Sequence, residues 1–377
     1  MSARAVHCTV FSRQMLRSAA LLIFGLPVLL IALLTAALAA GSAQRYTGQL
    51  IFWTRGDRGF ALDALDPSHG VRTRLVSPPP HLVVDLPRLS GTGQRAAFEL
   101  SRAGQLAVAV RDSFQRTLYL TTEQTDIEDR LPALSPDGRH LAYWTSRRNA
   151  NLNARFQNWH FMLLDTDTGE TRRIIQDQAI IPYNTPIWSP DGRRIAVQYW
   201  AAGRDAGTFI VDAASGESFS IRQFVDTPGG LAWSPDGEQI VFRSTRDGNP
   251  DLFLYTIATA SLTNLTRHPA TEFDAAWSPD ARYLAFVTTR DGRGEIYLMR
   301  LSDQQMTRLT YGGGWSPSWS PDGRHIAFIS RRGGADALYL VEASGGEPRF
   351  VDRLHEGNRF IGWYVSGALI SPQEADI

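Results

Sequence analysis

The sequence predicts an all-β protein built from repeated units, and three observations lead to this prediction. The first is a turn motif, Trp-Ser-Pro-Asp-Gly, which occurs at residues 188–192, 233–237 and 319–323, with looser copies at 134–138 and 277–281. The second is the spacing of the five copies, whose serines at positions 135, 189, 234, 278 and 320 are 54, 45, 44 and 42 residues apart. The third is the pattern after each copy, where short apolar runs alternate with polar turns.

Each unit is predicted to form four antiparallel strands. In Ser-Pro-Asp-Gly, the proline presets φ, the aspartate bonds to nearby backbone, and the glycine accepts the left-handed conformation that closes a tight hairpin. After the copy at 233–237 come apolar runs at 240–242 and 252–255, a polar turn between them at 245–249, and a last short run at 261–266. A repeat of roughly 40–45 residues with four short strands is the signature of a β-propeller blade.

The number of blades follows from the unit starts, which lie near residues 47, 90, 135, 189, 234, 278 and 320. They predict about seven four-stranded blades, and six or eight remain open because the first two units match the motif weakly. Residues 362–367 (Gly-Trp-Tyr-Val-Ser-Gly) are predicted to form the innermost strand of the first unit, which lacks one of its own. Such a closing strand removes free sheet edges.

The N-terminal segment predicts an apolar helix ahead of the propeller. Residues 1–17 are polar and contain three arginines, and residues 18–40 contain no charged side chain. This apolar run is long for a signal-peptide core of about 7–15 residues and sufficient for a membrane span of about 20. A small-x-small pattern at 37–39 also fits signal cleavage, so both a retained signal anchor and a cleaved signal peptide stay open. In either case residues 1–17 are predicted to be cytoplasmic and the propeller, 44–377, to lie outside the cytoplasm as a periplasmic or extracellular domain.

Composition excludes several classes of function. The formal net charge is zero, with no basic stripe along the chain, which argues against a nucleic-acid partner. All 38 basic residues are arginine, so lysine chemistry is excluded. The only cysteine, Cys8, precedes the apolar segment, so the propeller contains no disulfide, metal–thiolate site or cysteine nucleophile.

Three sets of polar residues are candidates for catalysis or metal binding. The aspartates of the repeated turn are interpreted as structural, because the turn itself requires them. Residues 247–251 (Asp-Gly-Asn-Pro-Asp) have the oxygen spacing of a calcium loop, but Ala258 replaces the glutamate expected at the twelfth position, which favours a β-turn. The histidines of the propeller are scattered, without a closely spaced pair. The sequence therefore predicts no catalytic residue, no metal ion and no cofactor. The set of histidines is 69, 81, 140, 160, 268, 325 and 355.

The longest distance between successive turn motifs, 54 residues from Ser135 to Ser189, points to a contact surface. Its extra residues fall at 146–160, between the second and third strands of that blade. Loops in this place share one end of a propeller, here called the top face, with the connections between blades. The insertion is rich in the arginine and aromatic residues typical of binding hot spots, although a tolerated surface insertion is the alternative. The predicted partner-binding residues, which would rim the central channel, are Arg155, Phe156, Trp159, His160, Tyr183, Asn184, Phe224, Phe273, Tyr311, Trp315 and Phe360.

The repeat resembles the WD40-like PD40 repeat of the TolB propeller family, and residues 131–355 carry this resemblance best. The resemblance implies an extracytoplasmic protein–protein interaction module. We therefore expect a membrane-anchored, non-catalytic binding or scaffold module, such as an accessory subunit of a membrane complex, with a protein or peptide partner at the top face. The alternative is a propeller enzyme, a lyase or hydrolase acting on a saccharide or other polymer from a top-face pocket, since the fold alone does not decide function.

Overall fold

A computed structural model of the chain describes residues 48–56, 59–76, 83–84, 88–89, 95–102, 105–112, 117–121, 127–147, 159–175, 180–201, 206–221, 230–355, 359–365 and 368–370. Strands, turns and bends make up these residues, and no helix occurs among them. Accordingly, this part of the chain contains no apolar helix of membrane-spanning length. The predicted cytoplasmic segment 1–17 and apolar helix 18–40 lie outside the described residues.

The described strands form seven antiparallel sheets, numbered I to VII along the chain. Sheet I contains β1 (Gln49–Gly56), β2 (Gly59–Leu65), β3 (Arg72–Val76), β30 (Arg359–Val365) and β31 (Ala368–Ile370). Sheet II contains β4 (Val83–Val84), β5 (Arg88–Leu89), β6 (Arg95–Arg102), β7 (Gln105–Asp112) and β8 (Thr117–Leu120). Sheet III contains β9 (Ile127–Leu134), β10 (His140–Arg147), β11 (Trp159–Asp165) and β12 (Thr171–Ile175).

Each of the remaining four sheets is formed by strands that follow one another in the chain. Sheet IV contains β13 (Ile180–Pro182), β14 (Ile187–Trp188), β15 (Arg194–Ala201), β16 (Ala206–Asp212) and β17 (Ser218–Ser220). Sheet V contains β18 (Ala232–Trp233), β19 (Gln239–Ser244), β20 (Asp251–Thr256) and β21 (Ser261–Asn264). Sheet VI contains β22 (Glu272–Trp277), β23 (Tyr283–Thr288), β24 (Glu295–Arg300) and β25 (Met306–Arg308). Sheet VII contains β26 (Trp315–Trp319), β27 (His325–Ser330), β28 (Ala337–Glu342) and β29 (Arg349–Arg353).

The hydrophobic core shows how the sheets are arranged. Its buried side chains form clusters that are each shared by two successive sheets, from sheets I and II through to sheets VI and VII. A further cluster joins sheet VII to sheet I and includes Leu340 and Trp363. Because the last sheet packs against the first, the sheets close into a ring. The all-β propeller predicted from the repeats is therefore confirmed.

The repeated turn has the same hydrogen bonds in each copy. In the copy of sheet V, the Ser234 hydroxyl donates to Asp236 Oδ1 (2.5 Å) and accepts the Gln239 N–H (2.9 Å). The same Asp236 oxygen accepts the Glu238 N–H (3.0 Å), and Gly237 has a φ of 70°. The other four copies repeat the serine–aspartate bond at 2.5–2.6 Å. The structural interpretation of these aspartates is confirmed.

The tryptophan that precedes the turn joins neighbouring sheets by a hydrogen bond as well as by packing. The indole Nε1 of Trp233 donates to Ile187 O in the preceding sheet (3.0 Å), and that of Trp319 donates to Ala276 O (3.1 Å). Trp188 and Trp277 make the equivalent bonds at 3.0 and 3.3 Å. A buried carbonyl needs a donor, so each indole supplies one from the next sheet.

Closure of the ring uses strands from both ends of the described chain. Strand β30 pairs antiparallel with β1, with Leu50 opposite Trp363, as the sequence predicted. The prediction that this strand is innermost was wrong, because β31 pairs with the other side of β30. Strand β31 has only three residues, which are too few to show a strand pattern in the sequence.

Candidate functional site

The top face is defined by backbone contacts between connections and turns. Glu272, the first residue of β22, donates its N–H to Pro250 O in the turn before β20 (2.9 Å). At the opposite end of the sheets, the repeated turn lies beside the turn between the third and fourth strands, as the bond from Thr166 N–H to Arg139 O (2.7 Å) shows. Connections between sheets therefore share one end with the turns between second and third strands.

Five of the predicted partner-binding residues do not contribute to a described exposed surface. Arg155, Phe156 and Phe224 lie outside the described residues. Trp159 and Phe360 are buried, the first between sheets III and IV and the second between sheets VII and I. Their predicted exposure was wrong, because both lie on strands, β11 and β30, and alternation directs their side chains into a neighbouring sheet.

Three other predicted residues belong to sheets III and IV, and Tyr183 is exposed among them (36%). Tyr183 and Asn184 occupy the gap between β13 and β14. The Tyr183 ring packs edge-on against Trp200, and Asn184 Nδ2 donates to Gln198 Oε1 (3.2 Å). His160 is half-buried on β11, and burial together with the nearby Arg173 guanidinium lowers its pKa.

The remaining three predicted residues belong to sheets VI and VII and to the connection between them. Phe273 and Trp315 are half-buried against the hydrophobic cluster shared by these sheets. Tyr311, in the connection itself, is 72% exposed and is the most exposed large hydrophobic side chain among the described residues. The structure therefore concentrates this part of the prediction at one place on the top face.

A buried carboxylate holds this connection in shape. Glu295, the first residue of β24, is fully buried, and its Oε2 accepts the Thr310 hydroxyl hydrogen (2.6 Å). Its Oε1 accepts the N–H of Gly313, whose φ of 80° favours glycine (3.0 Å). Thr310 Oγ1 in turn accepts the Ile296 N–H (2.9 Å). The connection is therefore anchored to the third strand of sheet VI on both sides of Tyr311.

Arginines surround the anchored connection. The Arg308 guanidinium carbon lies 4.4 Å from the centroid of the Tyr311 ring, within the range of a cation–π contact. Arg308 also pairs with Glu295 Oε1 (3.2 Å) and with Asp291 Oδ2 (3.2 Å). Arg293 Nε lies 3.3 Å from Glu295 Oε1. Arg308 therefore links the exposed ring to the buried carboxylate.

One more arginine completes the group, which we call the arginine–aromatic cluster. The Arg331 guanidinium carbon lies 5.9 Å from the centroid of the Trp315 ring. With it, the cluster comprises Arg293, Arg308, Tyr311, Trp315 and Arg331. Tyrosine, tryptophan and arginine are the residues most enriched at the energetic centres of protein interfaces.

Sequence reasoning missed the three arginines of the cluster. A signal was present, because an arginine recurs in the turns after the second strands and contacts an aromatic ring of the third strand. Arg290 lies 4.8 Å from the Tyr297 centroid, and Arg332 lies 4.9 Å from that of Tyr339. The arginines in these turns therefore indicate that the top face is rich in arginine. The sequence alone does not show which of their guanidinium groups are exposed.

The calcium-like sequence at 247–251 forms a turn. Gly248 N–H donates to Thr245 O (2.9 Å), which confirms the β-turn interpretation. The Asn264 amide nitrogen donates to both Asp247 Oδ2 and Asp251 Oδ2, each at 2.8 Å, so a donor lies where a cation would have to bind. Within the residues that the structure describes, no three His, Cys, Asp or Glu side chains are grouped as metal ligands.

The ring of sheets and the repeated turn together define a β-propeller of PD40-type repeats. Residues 148–316 match the family model of the TolB β-propeller domain. Residues 148–316 are therefore similar to the TolB β-propeller domain, which confirms the resemblance seen in the sequence.

Individual relatives show the same likeness. The Tol-Pal system protein TolB of Francisella tularensis subsp. holarctica is 24% identical over 119 residues, which is 31% of this chain and 27% of that protein. An uncharacterized peptidase of Bacillus subtilis is 27% identical over 206 residues, 50% of this chain and 27% of that protein. The matches thus span about a quarter of the length of these relatives. A crystal structure of oligogalacturonate lyase from Vibrio parahaemolyticus has a TM-score of 0.59 at 14% identity, covering 79% of this chain and 88% of that one. At this identity the likeness concerns the fold.

Proposed function

We propose that the protein is a non-catalytic binding or scaffold module that holds a protein or peptide partner at the arginine–aromatic cluster. The observation that supports this most is Tyr311, an aromatic side chain that is largely exposed yet held in place by Arg308 and an anchored backbone. A rigid aromatic group loses little conformational entropy on binding and buries a large apolar area. Such a side chain is suited to anchor a partner.

The chemistry of the cluster favours binding over catalysis. A general acid or base needs a proton-transfer group within reach of a substrate. Both Glu295 oxygens instead accept hydrogen bonds from the protein, and Asp291 accepts the Tyr297 hydroxyl hydrogen (2.8 Å) while pairing with Arg308. These carboxylates therefore hold the arginines and the connection in place through hydrogen bonds and ion pairs.

We further propose that residues 18–40 anchor the protein in the membrane, with the propeller outside the cytoplasm. The support comes from the sequence, in which an uncharged run follows Arg4, Arg13 and Arg17. An anchored propeller would be suited to act as an accessory subunit of a membrane complex. Signal cleavage, which would release the propeller as an exported protein, is the alternative tested by the N-terminal sequence of the mature protein.

The binding role is tested by affinity capture of the intact chain, gently solubilised from its native membrane, followed by mass spectrometry. The test variant is Tyr311→Ala, and the matched control is Phe219→Ala on β17, an aromatic side chain that is 43% exposed in the fourth strand of sheet IV. We expect a stoichiometric partner that is lost with Tyr311→Ala and kept with Phe219→Ala. A partner retained by both variants would place the binding surface elsewhere.

The enzyme alternative has its own outcome in the same experiment. If neither variant nor the unchanged chain captures a stoichiometric partner, and the mature protein lacks residues 18–40, the binding proposal fails. Assay of saccharide cleavage and analysis for bound metal would then be the next measurements.

A further inference from the structure

The charged side chains at the arginine–aromatic cluster differ in how deeply they are buried. Five arginines (290, 293, 308, 331 and 332) lie in and under the cluster, and the carboxylates beside them include those of residues 272, 274, 291, 295 and 336. The side chains of Arg293 and Arg331 are 65% and 72% exposed, whereas those of Glu272 and Glu295 are fully buried. The molecule therefore presents guanidinium groups to solvent and keeps the carboxylates of Glu272, Asp274 and Glu295 beneath them.

The buried carboxylates are directed into the protein by their hydrogen bonds. Glu272 Oε1 accepts the Thr288 hydroxyl hydrogen (2.7 Å) and lies 3.4 Å from Arg290 Nη2. Glu295 accepts bonds from Thr310 and Gly313, as described above. Burial raises the pKa of Glu272, whereas Thr288 and Arg290 act in the opposite direction. The most exposed charged groups of the cluster are therefore the guanidinium groups of Arg293 and Arg331.

The two exposed arginines can exchange their present contacts for those of a partner. Arg331 pairs with Asp336 through Nε–Oδ1 (2.6 Å) and Nη2–Oδ2 (3.2 Å) at the surface, where an ion pair contributes roughly 0–1 kcal/mol. Arg293 contacts Glu295 through Nε (3.3 Å). A guanidinium carries five N–H donors in a planar fork that matches a carboxylate. Both side chains thus retain donors that face solvent.

We propose that the partner presents acidic side chains to Arg293 and Arg331, next to an apolar residue that packs on Tyr311. This rests on the proposed function and specifies the chemistry of the partner segment. A carboxylate-bearing peptide fits because the exposed guanidinium groups of the cluster are confined to one place, while the chain as a whole has no net charge. Long polyanions such as nucleic acids depend on an extended positive field, which a neutral chain does not provide.

Fluorescence anisotropy with a defined peptide tests this assignment. The probe is a short fluorescein-labelled peptide of glutamates around one central tryptophan, titrated with the full chain in detergent. The test variant is the double substitution Arg293→Gln and Arg331→Gln. We expect binding that weakens as salt is added and that falls about tenfold in this variant, as for the loss of charge-assisted contacts.

The matched control removes two arginines of the same kind at the opposite end of the sheets. Arg193 and Arg282 lie in the repeated turns, are 77% and 79% exposed, and pair with Asp191 and Asp280. The double substitution Arg193→Gln and Arg282→Gln should leave affinity for the peptide unchanged. An equal loss in both double variants would show a general charge effect and overturn the proposal.

Two further probes separate the alternatives. A peptide with glutamine in place of every glutamate should bind much more weakly, and equal affinity for it would contradict a role for carboxylates. A labelled single-stranded oligonucleotide that binds more tightly than the acidic peptide would replace the acidic-peptide assignment by a nucleic-acid one. Capture of the native partner separates this proposal from the proposed function. If the partner is lost with Tyr311→Ala but kept with the double substitution Arg293→Gln and Arg331→Gln, the binding function is supported and the proposed acidic partner is contradicted.

Discussion

Single residues in the repeated turn differ in how well they suit the backbone they occupy. The last turn position has a positive φ in every copy, 76° at Gly138, 72° at Gly192, 70° at Gly237 and 68° at Gly323. Ala281 occupies the same place in sheet VI with a φ of 58°. A left-handed backbone costs an L-residue with a Cβ roughly 1–2 kcal/mol, and glycine avoids this cost.

We predict that Ala281→Gly raises the free energy of unfolding by about 0.5 kcal/mol, since relief of the left-handed strain exceeds the extra unfolded-state entropy of glycine. The reciprocal change, Gly323→Ala, should lower it by about 1 kcal/mol. Space is not the cause, because a Cβ at position 323 would lie 3.7 Å from Pro279 Cδ, an ordinary contact. Urea denaturation measures both, and stabilities shifted in the reverse order would contradict the backbone explanation.

The turn aspartates also predict how stability depends on pH. Hydrogen bonds from Ser234 and from the Glu238 N–H lower the pKa of Asp236, and the pKa values of Asp137 and Asp280 are lowered by the same kind of bonds, which outweigh burial. A carboxyl with a lowered folded-state pKa contributes stability above its unfolded-state pKa, about 3.9, and loses it as pH falls through the folded-state value. These turns therefore weaken in acid.

We predict that Asp236→Asn lowers the free energy of unfolding at neutral pH by about 1 kcal/mol, because a neutral amide oxygen accepts both bonds less strongly. The same variant should lose less stability than the unchanged chain between neutral pH and a pH below the folded-state pKa. Chemical denaturation at the two pH values checks this. An identical loss in both proteins would show that Asp236 does not contribute to the pH dependence.

At the scale of elements, the tryptophan before each turn connects two sheets. Trp277 packs in the cluster between sheets V and VI, and its indole bonds to Ala232 O (3.3 Å). We predict that Trp277→Phe costs about 2 kcal/mol, from the lost hydrogen bond and the cavity left behind. Trp277→Glu should prevent folding, because it buries an unpaired charge. A Trp277→Glu protein that unfolds cooperatively like the unchanged chain but no longer captures its partner would contradict this structural role.

The strands and turns were predictable from sequence because the repeat shows them several times over. The placement of side chains at the top face was not, because it depends on where each strand begins. Trp159 looks like a loop residue beside the insertion, yet it is the first residue of β11 and is buried. Arg308 looks like an ordinary strand residue, and only the fold brings it to Glu295, which lies 13 residues earlier in the chain. Tyr311 could be predicted as a surface residue because it lies in a connection between sheets.

At the scale of the whole molecule, closure depends on one strand that is remote in sequence from its partner. Trp363 on β30 is fully buried and packs between sheets VII and I. We predict that Trp363→Ala costs about 3–5 kcal/mol and promotes association, because a loosened β30 exposes the edge of β1. Denaturation and light scattering measure the two effects. A stable monomer after this substitution would show that the ring does not require β30.

The proposed binding function rests on Tyr311 being the point of contact, and site-specific photo-crosslinking in the native cell tests this most directly. A benzophenone amino acid would replace Tyr311 in one protein and Phe219 in another, and each would be irradiated in place. We predict a discrete crosslinked adduct from position 311 and none from position 219. Adducts from position 219 alone, or none from either position in a folded protein, would contradict a protein-binding top face.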